Sequence, residues 1–170
     1  ADPIRLVRAP RLAAQLGFSI ADETSEAIKQ HSHLITTAAP ERVRDEFMKL
    51  LAEPSTTTSL RLLDNLNLLC RIVPDLSQAK GITQPKEHYW DVFDHSIETA
   101  GQVENILQNP AMKSSFMAEP LPRFGHSDEY FAEKVSDGHT RLTMVKLAGL
   151  LHDIAKPATR TVEESGRIRF

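Results

Sequence analysis

Apolar residues recur at helical spacing along most of this chain, and this periodicity restricts the fold more than any other feature of the sequence. Leu60, Leu63, Leu66 and Leu69 fall three residues apart, which places them on one face of a helix, or of a pair of helices, before Pro74. Glycine is infrequent, with seven in 170 residues, and aromatic residues make up only 6%, so β-turn and strand signals are few. The pattern predicts an all-α fold.

Capping and breaking residues divide this pattern into separate helices. Asp2 followed by Pro3 is typical of a helix start, and Gly17 is typical of a helix end. Pro10 lies inside this first helix and lacks the N–H that would bond to the carbonyl of Leu6, so we expect a kink or a split there.

Five further helices are expected from the same signals, and residues 109–138 are expected to form a long loop with one short helix at 130–135. The longer helices are predicted at 22–34, 40–53, 60–74, 89–108 and 140–155. Pro157 is the expected stop of the last one. In the tail, two short extended runs flank Ser165 and Gly166, which favours the start of a hairpin.

Loop residues between positions 78 and 86 divide the chain into two predicted parts. Residues 1–77 would form a multi-helix neck or body, and residues 78–170 a second helical domain. A strong helix begins at residue 2, and the last residues lie in a strand-like run, so we expect a fragment of a longer protein.

Composition excludes several classes of protein. No run of about 18 apolar residues is present, so no membrane-spanning helix is expected. Cys70 is the only cysteine, which rules out an intrachain disulfide and favours a reducing, cytoplasmic setting. The net charge of -3 argues against a chain that coats nucleic acid through bulk charge, although a few placed arginines can still contact phosphates.

Three charged residues near the N-terminus have the spacing of one helix face. Asp2 and Arg5 are three residues apart, and Arg8 follows one turn later. An aspartate accepts and an arginine donates hydrogen bonds, so the pair can match the amino group and ring nitrogen of a nucleobase, while Arg8 can reach a phosphate. On spacing alone, a capping aspartate beside an arginine in a surface ion pair is the commoner arrangement.

The residues around this group resemble a known family. DPIRLVRAPRLAAQLGFSIADET is similar to the motif EDPxRxxRAxRFAAxLGF of class II CCA-adding tRNA nucleotidyltransferases and bacterial poly(A) polymerases, and APERVRDEFMKLL is similar to their next helix. The resemblance implies that Asp2 and Arg5 select the incoming CTP or ATP, and that the partner is a tRNA or another RNA 3′ end. Ala1, Pro10 and Leu12 depart from the motif. The matching residues are Asp2, Pro3, Arg5, Arg8, Ala9, Arg11, Ala13, Ala14, Leu16, Gly17 and Phe18.

The same resemblance implies a catalytic head that the sequence does not contain. In the family, two carboxylates in a D-x-D pattern upstream of this region hold Mg²⁺ for attack on the α-phosphate. No D-x-D occurs in these 170 residues, and Asp91 and Asp94 have a D-x-x-D spacing within a predicted helix. We therefore expect an N-terminal head domain as a missing partner, and no nucleotide transfer by this chain alone.

A second group of residues has the composition of a metal site. His152 and Asp153 are adjacent near the end of an apolar helix, and His95 lies on the preceding long helix. Imidazole and carboxylate ligands suit divalent ions such as Mg, Mn, Ni or Co. Lys156 lies one turn after His152, where it can hold a substrate phosphate. A His-Asp pair near a helix end is also found as a cap, with the cation near the helix dipole.

The context of these residues resembles the HD-domain phosphohydrolases, in the variant attached to nucleotidyltransferases. GITQPKEHYWDVFDHSIETA and KLAGLLHDIAKPATRT are similar to the first two motifs of that family. The resemblance implies that His95, His152 and Asp153 bind one or two divalent ions that activate a water for phosphoester hydrolysis, with Lys156 as the candidate catalytic residue. The last aspartate of the family is expected beyond residue 170, so the second part would be a truncated HD-type helical domain.

Three functions follow from these patterns. The first is a fragment of a CCA-adding or poly(A)-adding nucleotidyltransferase with an HD phosphohydrolase-like domain. The second is a stand-alone HD phosphohydrolase that acts on phosphoesters. The third is a non-catalytic helical module that binds RNA or another subunit. Nucleotide binding that requires the head would indicate the first function. Metal-dependent hydrolysis by the chain alone would indicate the second function, and the absence of both activities would indicate the third.

Overall fold

The computed structural model describes residues 2–84, 89–108, 125–163 and 168–169, and these residues form the all-α fold that the sequence predicts. Residues 109–124 of the predicted long loop lie outside this part of the chain. A 3₁₀ helix occupies Ser32–Thr37. The α-helices are α1 (Arg5–Leu16), α2 (Asp22–His31), α3 (Pro40–Ala52), α4 (Thr56–Asn65), α5 (Leu69–Ile72), α6 (Leu76–Ala79), α7 (Val92–Gln108), α8 (Ser127–Ala132), α9 (Arg141–Leu151) and α10 (Lys156–Thr159). The strands are β1 (Lys134–Ser136), β2 (His139–Thr140), β3 (Thr161–Val162) and β4 (Ile168–Arg169).

The core is built from the apolar faces that the leucine spacing predicts. Leu60, Leu63, Leu66 and Leu69 are all buried, and they belong to α4, α5 and the turn between them, which is the helix pair expected before Pro74. A leucine side chain removed from water in this way contributes roughly 1.5–3 kcal/mol. The helical period therefore locates this layer of the core correctly.

The helix α7 lies between α4 and α9, and two of the closest approaches occur at glycines. A Cβ atom on Gly101 would lie 1.9 Å from the Oγ1 atom of Thr57 on α4. On α9, a Cβ atom on Gly149 would lie 3.2 Å from a methyl carbon of Val103 and 3.3 Å from the Cα atom of Ala100. The absence of side chains at these two positions lets α7 pack directly against both neighbours.

A buried polar network ties α9 and α7 to the junction between α3 and α4. The Nζ atom of Lys146, which is fully buried, donates to the carbonyls of Leu51 (3.1 Å) and Glu53 (3.2 Å) and to Glu104 Oε1 (3.0 Å). Glu104 Oε2 accepts from the backbone N–H of Thr56 at 2.7 Å. The network thus satisfies free carbonyls at the end of α3 and a free N–H at the start of α4.

The first helix differs from its prediction in two respects. The α-helix begins at Arg5, but Asp2 still accepts a hydrogen bond from the N–H of Ile4 (3.1 Å), as a capping aspartate does. The helix continues through Pro10, so the expected split does not occur. Gly17 ends the helix with a φ of 67°, as predicted.

Two other helices end earlier than expected. The helix α2 stops at His31 and passes into the 3₁₀ helix at Ser32–Thr37. The helix α9 stops at Leu151, and Pro157 lies in the first turn of α10, where the missing N–H of a proline removes no helical hydrogen bond. The prediction that Pro157 stops α9 was therefore wrong.

The described end of the predicted long loop contains more regular structure than expected. The short helix α8 lies about three residues before its predicted position, and β1 and β2 follow as an antiparallel pair. Asp137 and Gly138 connect these strands with φ values of 45° and 81°, which suit a two-residue hairpin turn. In the tail, β3 pairs with β4 in antiparallel register, which confirms the strand pairing expected there, while Ser165 and Gly166 lie outside the described residues.

One hydrophobic cluster includes residues from both predicted parts of the chain, with α4 packed on α7 and α3 on α9. The division into residues 1–77 and 78–170 stays a prediction. Among the described residues, no helix has both the length and the apolar character needed to cross a membrane.

Candidate nucleotide-reading helix and candidate metal centre

A buried carboxylate on α3 holds the helix α1 through two arginines. Glu46 Oε1 accepts from Nε (3.2 Å) and Nη2 (3.0 Å) of Arg8, and Glu46 Oε2 accepts from Nε of Arg11 at 2.6 Å. Burial raises the pKa of Glu46, but the hydrogen bonds from Arg8 and Arg11 outweigh it, and the pKa lies below its ordinary value. Glu46 is therefore ionised at neutral pH, and it fixes the rotation of α1 about its axis.

Asp2 is oriented by a second ion pair to α3. Its Oδ2 atom lies 2.7 Å from Nη2 of Arg42, and its Oδ1 atom accepts from the N–H of Ile4. The hydrogen bond from Arg42, followed by that from Ile4, lowers the pKa of Asp2. The side chain remains 41% exposed. An ionised carboxylate acts only as an acceptor, and each of its oxygens keeps a lone pair for an incoming amino group.

Arg5 differs from its neighbours because its side chain is exposed and forms no hydrogen bond or ion pair with the residues that the structure describes. Its backbone N–H donates to the carbonyl of Asp2 at 3.2 Å, so the turn that leads into α1 holds the two residues together. The start of α1 therefore presents an oriented acceptor beside a free guanidinium donor.

Arg8 lies one turn further along, but its guanidinium faces α3. Glu46 binds its Nε and Nη2 groups, which leaves only Nη1 without a partner in the described part of the chain. The phosphate contact expected for Arg8 from the sequence stays a prediction, and the geometry gives Arg8 a role in holding α1.

Sequence reasoning missed Arg42 and Glu46. Glu46 follows Val43 by three residues and precedes Leu50 by four, so it lies on the apolar face of α3. A charge at such a position signals a buried partner, which could have been anticipated. No comparable signal marks Arg42, because it lies on the exposed side of the same helix.

The second predicted group is brought together by α7 and the end of α9. Nε2 of His95 lies 3.3 Å from Nε2 of His152 and 3.4 Å from Oδ2 of Asp153, and the latter two atoms are 2.9 Å apart. One potential ligand atom from each residue lies within 4.8 Å of the others. The packing of two helices thus brings together two histidines that are 57 residues apart in the sequence.

A backbone contact orients the ring of His152. Its Nδ1 atom lies 2.8 Å from the carbonyl oxygen of Gly149. A carbonyl can only accept, so Nδ1 carries the proton, and the lone pair of the neutral ring lies on Nε2. That lone pair is then available to a metal ion, in the arrangement usual for metal-binding histidines.

The separations between these atoms fit a divalent metal ion. Two ligands that each bind a metal at about 2.1 Å lie roughly 3.0–3.4 Å apart in octahedral or tetrahedral geometry. Two of the distances found here, 3.3 and 3.4 Å, lie in this range, and the third, 2.9 Å, lies just below it. Asp153 Oδ2 is shielded from solvent and has no partner with hydrogen-bond geometry among the described residues, although three nitrogens lie close to it. Such an acceptor, facing imidazole nitrogens, is suited to a cation.

Lys156 lies against the same carboxylate. Its Nζ atom is 2.7 Å from Oδ2 of Asp153 and donates to Oε1 of Gln84 at 2.8 Å. The amide nitrogen of Gln84 in turn donates to the backbone carbonyl of Trp90 at 3.2 Å. Gln84 thus joins Lys156 to the segment before α7, a connection that no pattern in the sequence indicated.

Asp91 and Asp94 have other partners. Asp91 caps α7 by accepting from the N–H of Asp94 (2.7 Å), and it also accepts from the N–H of Gly81 (2.6 Å). Asp94 pairs with Arg61 on α4. Neither aspartate belongs to the cluster of His95, His152 and Asp153 that the described residues form.

Comparisons with known proteins find similar sequences over the whole chain. Residues 17–80 match the family described as "Probable RNA and SrmB- binding site of polymerase A". The chain is 30% identical to the A-adding tRNA nucleotidyltransferase of Deinococcus radiodurans, over 100% of this chain and 33% of that protein. It is 27% identical to the CC-adding tRNA nucleotidyltransferase of Thermus thermophilus, over 99% of this chain and 33% of the relative. A multifunctional CCA protein of Methylococcus capsulatus is 27% identical over 92% of this chain and 38% of that protein.

The helical fold and the matched region define the class of this chain, an all-α chain that contains the segment described as a probable RNA-binding site. The chain belongs to the family of CCA-adding tRNA nucleotidyltransferases and bacterial poly(A) polymerases. It spans about a third of the length of the curated relatives it matches.

Proposed function

We propose that this chain is the nucleotide-reading and RNA-binding part of an enzyme that adds nucleotides from CTP or ATP to a tRNA or another RNA 3′ end. The observation that carries the proposal is the start of α1, where Asp2 is held as an ionised acceptor by Arg42, while the guanidinium of Arg5 has no partner among the described residues. Together they offer the acceptor and donor that a cytosine or adenine edge requires. The metal-binding carboxylates for transfer would come from a head domain outside these residues.

The test uses the intact enzyme that includes the head. Asp2→Ala and Arg5→Ala should each reduce selection of CTP or ATP over UTP by roughly 10–100-fold, because each removes half of a bidentate reading pair worth about 1–3 kcal/mol. Arg160→Ala, a change at an exposed arginine outside α1, is the matched control. Unchanged nucleotide selection in both α1 variants would overturn the proposal.

We propose a second function for the same chain, because His95, His152 and Asp153 converge independently of α1. These residues would hold a divalent ion, such as Mg, Mn, Ni or Co, in an HD-type site for phosphoester hydrolysis. The bound ion would supply a water of lowered pKa and Lewis acidity. Lys156, whose Nζ atom lies 2.7 Å from Asp153, would bind a substrate phosphate and is the candidate catalytic residue.

This second function can be tested with the chain itself. Hydrolysis of a 2′,3′-cyclic nucleotide and of a generic phosphodiester would be measured with Mn²⁺, Co²⁺ or Ni²⁺, together with the amount of metal retained after desalting. His152→Ala should abolish both readouts, whereas His126→Ala, at an exposed histidine on the turn before α8, should change neither. Absence of metal retention and of activity in the unaltered chain would favour the third hypothesis, a non-catalytic helical module.

A further inference from the structure

The segment before α7 exposes an aromatic ring to solvent. Tyr89 is 92% exposed, the highest value among the large hydrophobic side chains that the structure describes as exposed. Its ring stands perpendicular to that of Trp90, with the centroids 5.7 Å apart. An edge-on contact of this kind leaves a face of the tyrosine open.

The same segment is joined to the candidate metal centre through the side chain of Gln84. Gln84 donates to the backbone carbonyl of Trp90 and accepts from Lys156, whose ammonium group lies against Asp153. The aromatic pair and the phosphate-binding lysine are therefore linked by two consecutive hydrogen bonds. A ligand that used Lys156 would thus lie two hydrogen bonds from the backbone of Trp90, the residue that follows Tyr89.

The two groups together suit one kind of ligand. The lysine and the metal cluster of His95, His152 and Asp153 would take a phosphate, and an exposed ring offers a stacking surface that accepts any base. A phosphate without a base would leave Tyr89 unused. A nucleoside phosphate uses both features, as would the terminal nucleotide of an RNA.

We propose that Tyr89 is the nucleobase-stacking residue of the metal centre, and that it makes this centre prefer nucleotides over phosphoesters that lack a base. The inference rests on the second proposed function, since it needs a phosphate held at the cluster. Tyr89 would act on binding of the base, and the reacting phosphate would remain with Lys156 and the cluster.

The experiment compares two ligands that differ in the base. AMP and ribose 5-phosphate would be titrated calorimetrically into the chain with Mn²⁺ present. The unaltered chain should bind AMP roughly 10-fold or more tightly than ribose 5-phosphate, as expected for one stacked base. Tyr89→Ala should remove this advantage, while Tyr89→Phe should keep it, because stacking needs the ring and not the hydroxyl.

A matched control and an optical readout accompany the titration. Tyr130→Ala removes another exposed aromatic ring, one that packs on Arg141, and should leave the preference for AMP unchanged. Trp90 is the only tryptophan, so its fluorescence should change on binding of AMP and not of ribose 5-phosphate.

The outcomes distinguish failure of the role of Tyr89 from failure of the second proposed function. Equal affinity for the two ligands in the unaltered chain, or an unchanged preference in Tyr89→Ala, would overturn the role of Tyr89. Binding of ribose 5-phosphate that depends on His152 would in that case leave the phosphoesterase proposal standing. Failure of both ligands to bind would overturn both proposals, and a Tyr89 surface that instead bound a protein partner would show equal affinity for the two ligands.

Discussion

The ammonium group of Lys146 and the carboxylate of Glu104 lie 3.0 Å apart in the interior, and both side chains are almost completely withdrawn from solvent. The remaining hydrogen-bonding groups of this pair are used by the backbone of the α3–α4 junction. Burying two charges is costly, and the pair is tolerated because each charge is both paired and hydrogen-bonded. For the same reason, removal of either partner should strongly reduce the free energy of unfolding.

Lys146→Met should destabilise the chain by about 3–5 kcal/mol, because it leaves a buried carboxylate without its cation and two carbonyls without a donor. Urea unfolding at pH 7 measures the change. Lys49→Met, at an exposed lysine on α3, should change the free energy of unfolding by no more than about 0.5 kcal/mol. Equal losses in the two variants would contradict the buried network.

Gly101→Ala should destabilise the chain by about 1–3 kcal/mol, because its Cβ atom would lie 1.9 Å from Thr57 Oγ1 and force α7 away from α4. The double variant Gly101→Ala with Thr57→Ala should recover part of this loss in thermal unfolding, since the closest atom is gone. Gly125→Ala, where an added Cβ atom meets no atom of the described residues within 4 Å, is the control. Lack of recovery in the double variant would mean that the clash is not the cause.

Acidification should weaken the attachment of α1 through Glu46. Its pKa is lowered in the folded chain from an ordinary value of 4.5, so the unfolded chain binds the proton more tightly. The stabilisation from Glu46 is therefore complete above pH 4.5 and is lost as the pH falls through the folded-state pKa. Thermal unfolding between pH 7 and pH 3 should show a smaller acid loss for Glu46→Gln than for the unaltered chain. Glu41→Gln, at an exposed position on the same helix, should retain the full acid loss.

Metal binding should raise the thermal stability of the folded chain. An ion that binds the folded state alone stabilises it by about 2.7 kcal/mol at 100 times its dissociation constant. Addition of Mn²⁺ or Ni²⁺ should therefore raise Tm, and EDTA should reverse the rise. Asp153→Asn, which keeps the shape of the side chain but removes its charge, should reduce the shift strongly. A shift of the same size in Asp153→Asn would place the ion elsewhere.

Much of the fold could be predicted because burial imposes a period on the sequence. Leu60, Leu63, Leu66 and Leu69 reveal a buried face without reference to distant residues. The position of Pro157 was misread, since a proline ends a helix in one context and begins one in another. The hairpin turn at Asp137 and Gly138 was a readable signal that was overlooked within a polar stretch.

The candidate site was predicted only where its residues are near one another in sequence or belong to a motif. His152 and Asp153 are adjacent, so the sequence predicts them as a pair. Gln84, in contrast, contacts Lys156 across 72 residues of chain, and no local pattern indicates that contact. Glu104 and Lys146 lie on apolar helix faces, where a charge indicates a partner but does not say which one. Pairing of this kind is set by how helices pack, and helical spacing carries no information about it.

The contact of Lys146 with the carbonyl of Leu51 spans 95 residues, and this has a consequence for synthesis. A ribosome that adds roughly 5–20 residues per second needs about 5–20 seconds to cover that distance. Throughout this interval the end of α3 has been synthesised, while the lysine that will complete its hydrogen bonds does not yet exist. The backbone at the junction between α3 and α4 therefore stays partly without hydrogen-bond partners until a residue made late is available, and during that time the early helices are open to chaperones and proteases.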